Sequence, residues 1–164
     1  MPVQRRMLLG AAVLAVFITG LGIFTGVASL MLNRFPPFFT PPYFLALTVT
    51  ESLVFGAMVA WAIRRRRATD WHRRLMIGAT IVILEPALGR LLPIPMMGPW
   101  AEPAIALCQL AAVAIVAAYD RRTRGAVHPA TWAIGAVVIA TRVAISLLSM
   151  TPPVIALATR LADS

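Results

Sequence analysis

MLLGAAVLAVFITGLGIFTGVASLML, residues 7–32, is a run of 26 residues without one charged side chain, placed directly behind Arg5 and Arg6. At 1.5 Å of rise per residue such a helix is about 39 Å long, against a hydrocarbon layer of about 30 Å. The apolar core of a secretory signal peptide is about 7–15 residues, so the length predicts an uncleaved spanning helix. Within it Gly22 and Gly26 form a G-x-x-x-G pair, spacing that lets a second helix approach closely. A homo-oligomer or a membrane partner docked at Gly22 and Gly26 is therefore expected.

The same pattern of an apolar run bounded by arginine or proline recurs along the chain. Four prolines between Asn33 and Pro42 deny that stretch a helix, and its phenylalanines suit a membrane interface. A second span is expected over 43–63, ending in Arg64-Arg65-Arg66-Arg67. A third, over 75–92, is just long enough to cross, and Pro93, Pro95, Gly98 and Pro99 then mark a loop. A fourth runs over 103–119, rich in alanine and closed by Asp120-Arg121-Arg122-Thr123-Arg124-Gly125. A fifth runs over 131–150, introduced by His128-Pro129 and stopped by Pro152-Pro153. The tail from Val154 is only about 16 Å long if helical, too short to cross, and reads as an interfacial or re-entrant segment. The expectation is one all-α domain over 1–164, a polytopic transmembrane bundle of five spans.

Composition agrees: 60% of the residues are hydrophobic and 13% charged, with a mean hydropathy of +0.83. A water-soluble chain of 164 residues is mostly surface and cannot hide that much apolar area. The net charge of +9 comes entirely from arginine, without a lysine. Because the arginines sit in short runs between apolar segments, they read as topology determinants and exclude nucleic acid as a partner. If the spans alternate, eleven of the fifteen arginines fall on one side, which places the N-terminus inside. The run 64–67 would also attract anionic headgroups, making membrane lipids the expected partners. Cys108, alone in an apolar stretch, reads as a small core hydrophobe.

Four charged residues lie within the expected spans: Glu51, Glu85, Arg90 and Arg142. Each costs about 2.5–3.5 kcal/mol at the bilayer centre. Counted inward from the outer ends of their spans, Glu51, Glu85 and Arg142 all lie roughly 10–12 Å deep. Equal depth predicts a polar cluster in which the arginine bonds the carboxylates. Either it pins the helices together, or it forms a ligand, proton or ion site. Arg90, nearer the surface, would snorkel outward. Pro86 lacks an N–H, so it would free the Val82 carbonyl and kink the third span beside Glu85.

His72 and His128 precede the third and fifth spans by similar distances and are candidate haem or metal ligands. No His-x-x-His or Cys-x-x-Cys spacing accompanies them, and interfacial histidines are the simpler reading, with no cofactor expected. No G-x-S-x-G, phosphate-cradling glycine loop or H-E-x-x-H occurs, so no catalytic residue is assigned.

The stretch Arg64-Arg65-Arg66-Arg67-Ala68-Thr69-Asp70-Trp71-His72-Arg73-Arg74-Leu75-Met76 resembles a pattern in an uncharacterised family of bacterial multi-pass inner-membrane proteins. Pro86-Ala87-Leu88-Gly89-Arg90 is similar to the end of that helix in the family. Tyr119 to Gly125, Val127-His128-Pro129-Ala130-Thr131 and the in-span Arg142 match further parts of the pattern. The resemblance covers the C-terminal two thirds of the chain. It implies a bacterial cytoplasmic-membrane protein and directs interest to His72, Arg90, His128 and Arg142, but implies no reaction. The functional expectation is a non-enzymatic structural, partner-binding or small-transport component, with a haem- or quinone-binding redox module as the alternative.

Overall fold

A computed structural model describes the backbone of residues 2–163 and the side chains of residues 9–98 and 100–163. The topology signal expected from Arg5 and Arg6 therefore lies outside the described side chains. Eight α-helices and no strand occur among the described residues: α1 (Pro2–Met31), α2 (Pro41–Arg64), α3 (Thr69–Val82), α4 (Glu85–Leu91), α5 (Ile94–Met97), α6 (Ala101–Arg124), α7 (Pro129–Ser149) and α8 (Pro152–Ala162). The chain is all-α. Four helices are long and apolar enough to cross a membrane: Leu9–Met31 of α1, α2, α6 and α7. Large apolar side chains such as Val16, Phe17, Phe24, Ile115 and Trp132 are exposed on them. Apolar area of that extent is stable only in a lipid-like solvent, and the helices mark a multi-pass membrane protein.

Proline places the helix starts. Pro41 and Pro42 occupy the first turn of α2, where the missing N–H would have had no intrahelical partner, so the expected loop ends two residues early. Pro152 and Pro153 open α8 in the same way. At the other end of α6, Gly125 adopts a left-handed φ of 77° and its N–H bonds the Arg121 carbonyl at 3.0 Å. This stops the helix where a Cβ-bearing residue would be strained.

The contacts divide the chain into two units, 1–57 with 141–164, and 58–140. In the first, α1 and α2 run antiparallel along a seam of small residues. A Cβ on Gly26 would meet the Thr48 side chain, with its Cβ at 2.8 Å, one on Gly22 would overlap Ser52, and one on Gly56 would lie 2.8 Å from Thr19 Oγ1. The G-x-x-x-G notch thus faces α2 of the same chain. The tail forms α8, whose Ala158 is buried with Leu30 and Leu45, while Ile145 of α7 packs on Ala46 and Leu47.

In the second unit α3 and α4 together line α6 in antiparallel fashion. Arg74 meets Asp120, Ile81 and Val82 meet Gln109, and Leu88 packs with Ile105 and Ala101. The third apolar stretch is not one continuous helix: α3 ends at Val82 and α4 begins at Glu85. Pro86 explains the break, because it cannot donate to the Val82 carbonyl four residues earlier.

Candidate functional site: buried polar contacts between helices

The break between α3 and α4 leaves the buried Val82 carbonyl without the N–H that a non-proline residue at position 86 would supply, so it needs another partner. Gln109, 2% exposed on α6, supplies it: its Nε2 donates to the Ile81 carbonyl at 3.0 Å and the Val82 carbonyl at 3.1 Å. Gln109→Leu, nearly isosteric, is expected to lower stability by about 1–3 kcal/mol by leaving the Val82 carbonyl unsatisfied, while the Ile81 carbonyl keeps the Leu84 N–H at 3.3 Å. Thermal unfolding in detergent reads this loss. Pro86→Ala, which restores the missing N–H, should recover part of it.

Among the charges expected within the spans, Arg142 and Glu51 are in direct contact. Arg142 Nη2 of α7 donates to Glu51 Oε1 of α2 at 2.9 Å, with side-chain exposures of 10% and 8%. Both sit on long helices, which fix them by backbone rather than by loop. Desolvating two full charges is expensive, and the direct charge-assisted bond is what offsets it. Glu85 is buried at the first residue of α4, in the other unit. Arg90 lies exposed in the last turn of α4.

A second buried pair joins three helix ends. Asp120, 0% exposed near the C-terminus of α6, receives Arg74 of α3 through Nε at 3.0 and 3.2 Å and through Nη2 on Oδ1. Its Oδ2 also accepts the His128 backbone N–H at 3.1 Å and the Thr131 hydroxyl. Those two donors belong to the start of α7, so a carboxylate from α6 caps the positive end of the next helix. Arg74 is held further by the Asp70 carbonyl at 3.0 Å. Asp70 in turn pairs with Arg124 at 2.7 Å on the surface. The Arg124 hydrogen bond, opposed by burial and helped by the charges of Arg124 and Arg74, holds the Asp70 carboxyl below its usual range.

Both histidines are engaged at this end of the second unit. His72 Nδ1 lies 2.8 Å from the Ala62 carbonyl, which can only accept, so Nδ1 carries the proton. His128 Nδ1 instead accepts the Ala130 N–H at 3.1 Å, which requires the neutral ring protonated on Nε2. Burial, then the nearby Arg74 and Arg124, lower the His128 pKa and favour that neutral form. Trp71 packs edge-on to His128 and against Trp61, with the Arg65 guanidinium over its ring at 5.1 Å. No group of three or more His, Cys, Asp or Glu side chains placed to hold a metal occurs among the described residues.

Sequence reasoning missed Asp120, Thr131 and Gln109. Asp120 reads as part of an arginine-rich loop, yet it is the one acid in that loop, seventeen residues after Pro103 and directly behind an apolar span. Gln109 carries no formal charge, and its amide in an otherwise apolar alanine-rich run was the available signal. Tyr119, Asp120, Arg73, Arg74 and Arg124 also line a cleft of about 160 Å³. No protein-family model, curated protein or solved structure matches this chain.

Proposed function

We propose that the chain is a non-enzymatic component of a bacterial cytoplasmic membrane with a structural or partner-binding role, crossing five times with the N-terminus inside. The observation that carries this reading is the Arg142–Glu51 contact at 2.9 Å. A charged pair joined directly at depth fastens two helices, whereas a transport site needs a charge that exchanges partners. The antiparallel run of α3 and α4 along the 24-residue α6 supports a broken third crossing, which makes five. The arginine-rich ends of α2 and α6, with the start of α3, then fall on one side, the inside.

Small-ion transport is the second reading of the same pair. The redox alternative through His72 and His128 gains nothing from the geometry, because both rings already serve backbone groups. In liposomes containing the full chain, Arg142→Gln is expected to leave proton and ion flux at the background of protein-free vesicles, as the parent does. A parental flux well above background that Arg142→Gln abolishes would overturn the structural reading in favour of transport. Cysteine labelling at Arg66 in a Cys108→Ser background should occur only from the cytoplasmic side; external labelling reverses the orientation.

A further inference from the structure

The cleft between α3 and α6 has a charge balance and a depth profile that the polar lock alone does not require. Three arginines, Arg73, Arg74 and Arg124, line it against two aspartates, Asp70 and Asp120, leaving one positive charge in excess. Arg74 is committed to Asp120 and Arg124 to Asp70. Arg73 is exposed and has no ion-pair partner among the described residues. The volume, about 160 Å³, is several times the roughly 30 Å³ share of one water and accommodates a phosphate group.

The lining is also ordered along the helices. Ile77 lies one turn further along α3 than Arg73, and Val116 one turn before Asp120 on α6. Because the two helices run antiparallel, both apolar residues fall on the same, inner side of the arginines. Tyr119, 59% exposed, stands at the boundary, where amphipathic rings suit the headgroup level. A cleft that is cationic at the helix ends and apolar one turn deeper has the polarity sequence of a phospholipid, from phosphate to acyl chain.

We propose that this cleft is a binding site for an anionic glycerophospholipid, with its phosphate on Arg73 and its upper acyl chain against Ile77 and Val116. The Arg74–Asp120 lock forms the floor, and the Asp70–Arg124 pair orders the rim without consuming Arg73. The site is distinct from the Arg64–Arg67 run, none of whose residues lines this cleft. It rests on the multi-pass reading, though not on the orientation or on the role of the Arg142–Glu51 pair.

Native mass spectrometry of the full chain in detergent, with added phosphatidylglycerol or phosphatidylcholine, tests the assignment. Phosphatidylglycerol should be retained preferentially. Arg73→Gln should weaken its retention about fivefold, the effect of roughly one surface arginine on an anionic lipid. Arg73→Lys, which keeps the charge, should retain most of the binding, and Arg66→Gln, whose side chain does not line the cleft, should change it less than about twofold. Equal losses in Arg73→Gln and Arg66→Gln would show diffuse attraction and overturn the site. So would equal retention of the two lipids, or displacement of phosphatidylglycerol by millimolar inorganic phosphate, which would assign the cleft to a free anion. Carbonate-resistant membrane retention of each variant separates failure of this site from failure of the multi-pass reading.

Discussion

Asp120→Ala is expected to destabilise the protein by about 3–5 kcal/mol, among the largest effects a single substitution can have in this chain. The cause is what remains behind. Arg74 is buried with 8% exposure and would lose its buried carboxylate while keeping its charge, with only the half-exposed Asp70 left at 3.6 Å. The Thr131 hydroxyl and the His128 N–H would lose their acceptor in the same step. Asp120→Asn should also be severe, because an amide nitrogen would face a guanidinium that needs acceptors. Combining Asp120→Leu with Arg74→Met removes both charges and should recover much of the loss, as apolar replacement of buried ion pairs often does. Chemical or thermal unfolding in detergent measures these differences. A cost below about 1 kcal/mol for Asp120→Ala would mean that water reaches Arg74 and that the lock is a surface pair.

The second large effect belongs to Arg142. Its replacement by Gln should cost about 3–5 kcal/mol, since the buried Glu51 then loses the guanidinium that bonds it at 2.9 Å. Glu51→Gln should cost a similar amount for the converse reason. The pair of changes together should cost clearly less than the sum, with a coupling of about 1–3 kcal/mol. Fully additive costs would sink the contact. The cycle is informative because both side chains are on long helices that do not depend on this pair to form, so each variant stays folded enough to compare.

Why part of this was readable in advance follows from the physics of each residue. Apolar runs and flanking prolines place α1, α2, α6 and α7 within a few residues, because lipid demands continuous apolar length and proline cannot donate inside a helix. Counting residues along three helices puts Glu51, Glu85 and Arg142 at one depth, and of these Arg142 bonds Glu51 at 2.9 Å. Pro86 was expected to free the Val82 carbonyl, and the helix is broken there. What closes the break could not be read, because Gln109 is 27 residues away and nothing local aims its amide. Asp120 stayed hidden for a related reason. Beside three arginines it resembles a solvated loop acid, and only the folded approach of α3 and α7 makes it a buried one.

The contact at the helix break has a consequence for synthesis. Gln109 leaves the ribosome 27 residues after Val82, a lag of about one to five seconds at 5–20 residues per second. During that interval the Val82 carbonyl, which Pro86 cannot serve, lacks the amide that bonds it in the folded chain. The break is closed only once α6 is made, so the α3–α4 segment reaches its folded form with α6 and not before it.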